Sequence, residues 1–149
     1  MHNHIIDLIV YMAREVHNGT PLKKVTISDD LSKKYNDSEV SAAYSYLYEH
    51  FAEKQKNKGQ GYSHGTIRVL HFAERMIITK EAYGYLLDLN NLGLLSIGDM
   101  EQVIESIMLH ASSRIGLTEI KQRVSDYMMK SDHDFLGWAS KLNGDETIN

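Results

Sequence analysis

The chain has 149 residues, a net charge of −4 and no cysteine, and 42% of its residues are hydrophobic. This length suits one compact domain, or two small ones sharing a core, and it needs no disulfide or metal for stability. The absence of cysteine excludes disulfide frameworks, thiolate zinc sites and cysteine nucleophiles, and it fits a reducing cytoplasm.

The charge is distributed unevenly along the chain. Residues 1–66 balance eight Lys/Arg against eight Asp/Glu, whereas residues 67–149 carry eight against twelve. A protein that holds DNA mainly through its phosphates is expected to be basic, so this composition does not favour that class. The apolar N-terminal run contains Asp7, Arg14 and Glu15, which argues against a signal peptide or a membrane span. We therefore expect a cytoplasmic protein without membrane attachment.

The N-terminal part predicts a helix, a short strand and a second helix. The first helix is expected over residues 3–17, closed by Asn18 and Gly19, because its apolar residues recur at helical spacing. The segment LKKVTI at 22–27 predicts a small strand because it is β-branched at its end. A short helix follows and ends near Tyr35.

A third helix, a loop and a second strand complete the first half. Asn36 and Glu39 stand at capping-box spacing and predict the start of a helix over 36–53. The segment EKQKNKGQGYSHGT at 53–66 reads as a loop, and TIRVL at 66–70 reads as a strand. This order of elements is that of a winged helix-turn-helix.

The second half predicts a bundle of helices. Thr79 is expected to cap the first of them, and Gly93 to adopt the left-handed conformation that ends it. Gly84 lies inside this helix, and close packing of another helix is the expected reason for a glycine there. Asp99 is expected to open the next helix at capping-box spacing, and Thr118 to cap the following one.

The expected fold is therefore mainly α. A winged-helix-like N-terminal unit with a small β element, residues 1–72, packs on a C-terminal bundle of three to four helices, residues 73–142, with one shared core. A polar tail follows over residues 143–149.

One stretch of the second half, IRVLHFAERMIITKEAYGYLLDLNNLGLLSIGDMEQVIESI at 67–107, carries a recognisable series of short blocks. The blocks are made of Arg68, Val69, Leu70, Glu74, Gly84, Tyr85, Leu86, Leu87, Leu94, Leu95, Val103, Ile104 and Glu105. In order and spacing they resemble the core of the bacterial Smg family, whose function is unknown. The resemblance covers most of residues 1–130, more loosely in the first half. It implies no catalytic residues, since the family has none established.

The basic loop supplies the candidate nucleic-acid contacts, Lys54, Lys56, Lys58, His64 and Arg68. From a wing these side chains would reach backbone phosphates and give weak, salt-dependent and non-specific binding. The alternative interpretation of the loop is a solvated linker. The helix before it carries four carboxylates and no Lys or Arg ahead of Lys54, which disfavours base reading.

Arg68 also has a structural interpretation. Arg68 and Glu74 bracket the junction between the two halves of the chain. An arginine beside acidic helices most often forms a structural ion pair, and a functional anion site is the alternative.

Aromatic residues supply the candidate protein contacts. Tyr46 and Tyr48 lie off the core stripe of the third helix, so they form a contact surface or pack on the second half. Phe135 and Trp138 in the tail offer the same choice, between a docked terminal cap and a segment that a partner holds. An unidentified protein partner is the expectation, and the oligomeric state is left open.

No pattern in the sequence predicts catalysis, a metal site or a cofactor. The eight histidines are scattered without the HExxH spacing, and SDHD at 131–134 suits a weak surface chelator at best. No GxSxG, phosphate-binding loop or dinucleotide fingerprint is present. The leading hypothesis is a non-enzymatic binding or regulatory protein that acts through protein contacts, and the alternative is nucleic-acid binding through the basic loop.

Overall fold

The computed structural model describes residues 2–56 and 68–131, without the side chains of residues 2, 3, 54–56 and 131. These ranges contain seven α-helices and one short 3-10 helix, Leu22–Lys24. The α-helices are α1 His2–His17, α2 Asp29–Lys34, α3 Asp37–Lys56, α4 Phe72–Ile77, α5 Lys80–Asn91, α6 Ile97–His110 and α7 Leu117–Ser131.

Local signals place several helix ends where the sequence predicts them. The capping box before α3 is present, since the Asn36 amide donates to Glu39 Oε2 and the Glu39 amide donates to Asn36 Oδ1, both at 2.9 Å. Thr79 caps α5 through its Oγ1, which accepts from the Ala82 amide at 3.2 Å. Gly93 ends α5 with a φ of +76°, a conformation that glycine adopts without strain.

The starts of α6 and α7 differ from the prediction. Ser96, rather than Asp99, is the cap of α6: its Oγ accepts from the Asp99 amide at 3.0 Å, and Asp99 Oδ2 accepts from the Ser96 amide at 2.8 Å. Asp99 is the third residue of α6 and the second side chain of that capping box, so the predicted start was three residues late. The start of α7 precedes Thr118, because the Gly116 carbonyl already accepts from the Ile120 amide at 3.0 Å.

The winged-helix prediction was wrong, because the described residues contain no β-strand. In the predicted strand at 22–27, the first three residues form the 3-10 helix and the other three have no regular structure. Residues 68–70 of the predicted strand at 66–70 have no regular structure. A strand needs a neighbour to satisfy its backbone, and short β-branched runs do not provide one. One isolated parallel bridge joins Ile78 to Ile115.

One cluster of buried side chains joins the helices of both halves. Helix α1 packs against α3 and α7, and α7 also packs against α5 and α6, so α7 is central to the described fold. The cluster includes Ile6, Leu8, Met12, Ala43, Leu47, Leu86, Leu89, Met100, Ile104, Ile107, Ile120 and Val124. The division of the chain at residue 72 stays a prediction. None of the helices in the described ranges combines the length and the apolar character that a membrane crossing requires.

The close helix packing expected at Gly84 is absent among the residues that the structure describes. Gly84 is exposed on α5, and a Cβ built there would meet no other heavy atom of these residues within 4 Å. We predict that Gly84→Ala stabilises the protein by about 0.5–1 kcal/mol, because alanine loses less backbone entropy in a helix. Urea denaturation measures the change. Gly93→Ala is the control and should destabilise, since its φ is positive; a loss of stability in Gly84→Ala would contradict the prediction.

The different burial of two leucines predicts different losses of stability when each is replaced by alanine. Leu86 is fully buried on α5, whereas Leu109 on α6 is exposed. Leu86→Ala should lower the free energy of unfolding by about 2–5 kcal/mol, because the lost methyl groups leave a cavity. Leu109→Ala should change it by less than about 0.5 kcal/mol. The comparison is made by urea denaturation, and equal costs would show that the packing of α5 is misassigned.

Candidate functional site

The junction between α3 and α4 is organised by the guanidinium of Arg68, whose side chain is only 9% exposed. Its Nη1 and Nη2 donate to the two carboxylate oxygens of Glu74 at 2.5 and 2.7 Å. Its Nε and Nη2 donate to the carboxylate of Glu101 at 2.7 and 3.1 Å. The three nitrogens therefore face two carboxylates, one from α4 and one from α6.

The electrostatics of this network favour the charged forms of all three groups. Hydrogen bonds to Glu74 and then Glu101 raise the pKa of Arg68. The hydrogen bonds from Arg68 lower the pKa of Glu74 to about 2, and they also lower the pKa of Glu101. The expected ion pair between Arg68 and Glu74 is thus present, and Glu101 is an additional partner.

The same network fixes helix α4 at its start. The His71 amide donates to Glu74 Oε2 at 2.8 Å, so Glu74 caps the helix as well as binding Arg68. The Tyr83 hydroxyl, from α5, donates to the carbonyl oxygen of Arg68. Arg68 therefore holds α4 against both α5 and α6.

The other end of α4 is also fixed by hydrogen bonds. The Ile115 amide donates to the Ile77 carbonyl at 2.7 Å, and the Thr79 amide donates to the Ile115 carbonyl at 3.0 Å. A six-residue helix has little stability of its own. These contacts at both ends give it a defined position on α6.

Large apolar side chains point outward from this short helix and from the segment just before it. Val69 is 69% exposed, Phe72 73% and Met76 64%. Phe72 and Met76 are four residues apart and share one face of α4. We call Val69, Phe72 and Met76 the α4 face. On the inner side of the helix, Glu74 forms the ion pair with Arg68 and Ile77 packs against the core.

The family comparison agrees with the resemblance seen in the sequence. A family model described as "Protein of unknown function (DUF494)" matches residues 5–139. The chain belongs to this family, which is the Smg family. No curated protein and no solved structure matches the chain.

Four of the five predicted nucleic-acid residues of this Smg protein have no described side chain. Lys58 and His64 fall outside the described residues, and Lys54 and Lys56 have a described backbone in the last turn of α3 but no described side chain. Arg68 is described, and its guanidinium is taken up by Glu74 and Glu101 rather than facing solvent.

The two predicted protein-contact residues on α3 differ in exposure, and the two in the tail are not described. Tyr46 is half-buried, and its ring stacks on His50 with a centroid distance of 5.6 Å. Tyr48 is 58% exposed on α3. Phe135 and Trp138 lie outside the described residues.

The α4 face was missed by sequence reasoning. The signals were the four-residue spacing of Phe72 and Met76 and the glutamate three residues after His71. A short segment preceded by histidine is a weak helix signal, because histidine is not a favoured cap residue. Within the described ranges, no group of three His, Asp or Glu side chains is arranged to hold a metal ion.

The Arg68 network predicts an acid-dependent loss of stability. Glu74→Gln should lower the free energy of unfolding at pH 7 by about 1–3 kcal/mol, because Arg68 loses a charged hydrogen-bond partner. The pKa of Glu74 is lower in the folded chain than its ordinary value of 4.5, so its contribution is complete above that value. The contribution is lost as the pH falls towards about 2. The difference between wild type and variant should therefore shrink over this range in urea denaturation.

The matched control for this prediction is Glu105→Gln, an exposed position on α6. It should change the stability by less than about 0.5 kcal/mol at any pH. A Glu74→Gln effect of the same size at pH 3 and pH 7 would contradict the assignment.

Proposed function

We propose that this Smg-family protein is a non-enzymatic binding or regulatory protein, and that the α4 face is its protein-contact surface. The observation that carries the proposal is the exposure of Val69, Phe72 and Met76 within one eight-residue stretch. Single exposed apolar side chains are common on proteins, but a group of large ones close together is typical of interaction sites.

The chemistry and the rigidity of the α4 face suit binding. Phenylalanine and methionine are enriched in the buried centre of protein interfaces. The hydrogen bonds of Arg68 and of Ile115 hold α4 before any partner arrives. A pre-positioned surface loses less conformational entropy on association, so more of its apolar burial contributes to affinity.

The carboxylates with shifted pKa values support the non-enzymatic part of the proposal. Arg68 hydrogen bonds lower the pKa of Glu74 and Glu101, and despite burial Asp99 has a lowered pKa because it accepts from Tyr127 and Ser96. Each of these carboxylates is held ionised by donors of its own chain, which suits a structural role. A catalytic acid or base at neutral pH needs the opposite adjustment, a pKa near the working pH.

The nucleic-acid alternative gains no support from the described side chains. Arg68 is its one candidate with a described side chain, and two carboxylates already occupy that guanidinium. Binding through the loop lysines would be seen as salt-dependent anisotropy changes with labelled DNA or RNA.

Site-specific photo-crosslinking in cells that naturally produce the protein tests the proposal. A photoreactive residue in place of Met76 should give a discrete protein adduct. The adduct should disappear when Phe72→Glu is added, because a carboxylate would be buried in the apolar contact. The partner recovered from the adduct is then purified, and Phe72→Glu should weaken its direct binding at least tenfold, equivalent to about 1.4 kcal/mol.

Two controls make the outcome specific. Lys33→Glu adds a carboxylate at an exposed position of α2 and should leave the adduct and the affinity unchanged. Tyr48→Glu tests the exposed tyrosine of α3 in the same way. Two outcomes would contradict the assignment to the α4 face. One is that Tyr48→Glu abolishes binding while Phe72→Glu does not. The other is that no protein adduct forms at position 76 in nuclease-treated cells.

A further inference from the structure

An open cleft lies at the connection between α6 and α7. It is called here the α6–α7 cleft, and its volume is about 410 Å³. Small-molecule sites in proteins commonly have volumes of about 300–1,000 Å³, so the cleft is large enough for a ligand. Polar side chains predominate in its wall and include those of His110, Ser112, Thr118, Glu119, Gln122 and Arg123.

Two opposite charges line the cleft without pairing. Glu119 and Arg123 are four residues apart on α7, the spacing at which a glutamate and a following arginine form a stabilising pair. Glu119 is instead turned towards the start of the helix, where its Oε2 accepts from the Gly116 amide at 3.1 Å. Among the described residues, no salt bridge or hydrogen bond joins the two side chains.

Arg123 has no acceptor among the residues that the structure describes. Asp126, three residues further along α7, accepts from Gln122 Nε2 at 2.9 Å and is not paired with Arg123. The arginine is nevertheless only partly exposed. A guanidinium carries five N–H donors, and taking them out of water without a partner is unfavourable. The guanidinium of Arg123 is therefore available to an anionic group that enters the cleft.

We propose that the α6–α7 cleft binds a free α-amino acid with an uncharged polar side chain, its carboxylate on Arg123 and its ammonium group on Glu119. Such a ligand carries one charge of each sign, which complements the one guanidinium and the one carboxylate of the cleft. Arginine binds carboxylates through two parallel hydrogen bonds. Glu119 uses its Oε2 on the Gly116 amide, so its Oε1 can accept from the ammonium group.

Other polar groups of the cleft suit a ligand side chain with N–H or O–H donors. His110 Nδ1 lies 3.0 Å from the Ser106 carbonyl oxygen, which only accepts, so Nδ1 donates and Nε2 is an acceptor in the neutral ring. Gln122 uses its Nε2 on Asp126, which leaves its Oε1 as an acceptor. A hydroxyl or an amide on the ligand would find partners here, whereas an aliphatic side chain would not.

The cleft is formed by one continuous stretch of the chain. All of its lining residues lie between 110 and 123, at the end of α6, in the connection and in the first two turns of α7. It shares no residue with the α4 face. The proposal therefore does not rest on the proposed function, and either can fail without the other.

Titration of the full-length protein, followed by nuclear magnetic resonance, tests the proposal. L-serine, L-threonine, L-asparagine and L-glutamine are added in turn, with L-leucine as the apolar comparison. At least one of the four should shift the amide signals of Ser112, Thr118 and Arg123 saturably at millimolar concentration, and should bind at least tenfold more tightly than leucine. The absence of a saturable shift with all four would overturn the proposal. Leucine binding as tightly as the best of them would overturn the choice of side chain.

Analogues of the ligand test the two charges separately. For the amino acid that binds most tightly, loss of the amino group and loss of the carboxylate should each weaken binding at least tenfold. In the case of serine, these analogues are 3-hydroxypropionate and ethanolamine. Binding of either analogue as tightly as the amino acid would overturn the assignment of a zwitterion.

Variants test the location. Arg123→Gln should weaken binding at least tenfold, whereas Arg75→Gln, which removes the same charge at an exposed position of α4, should leave it unchanged. Glu119→Gln keeps an oxygen that can accept from the Gly116 amide. It should weaken binding of the amino acid but not of the analogue without the amino group. Unchanged affinity in Arg123→Gln, in a protein that circular dichroism shows to be folded, would overturn the location.

Discussion

The position of α4 depends on one guanidinium that is held largely out of water. Arg68 can be buried because Glu74 and Glu101 both neutralise it and accept its hydrogen bonds. A helix of six residues is not stable by itself, and this network ties its first turn to α6 while Tyr83 ties the preceding backbone to α5. Without the network, the apolar α4 face would have no fixed geometry to offer.

Much of the helical fold could be predicted from the sequence, because the relevant signals are local. Helices α1, α3 and α5 follow from apolar spacing, the Asn36 capping box and the left-handed Gly93. The predicted strands were wrong because pairing is not local. The segments at 22–27 and 66–70 have β-branched residues, but no sequence rule shows whether a partner strand exists.

Less of the candidate site than of the helical fold could be predicted from the sequence. The Arg68–Glu74 pair could be anticipated because its members are close in the chain, whereas Glu101 lies 33 residues from Arg68 and only tertiary packing brings it there. Phe72 and Met76 look like core residues, since periodicity shows that they share a face but not which way the face points. Phe72 and Met76 point outward because Glu74, on the other side of the helix, is hydrogen-bonded to Arg68 on the inner side.

The arrangement of α4 separates the residues that hold the helix in place from the exposed apolar residues that would meet a partner. The folding determinants, Arg68, Glu74 and Glu101, lie beneath the helix, and the exposed side chains contribute little to its position. Substitutions on the outer face are therefore expected to be nearly neutral for stability, so its side chains can change without a compensating mutation elsewhere. Such a surface can diversify among related proteins while the scaffold that carries it is kept.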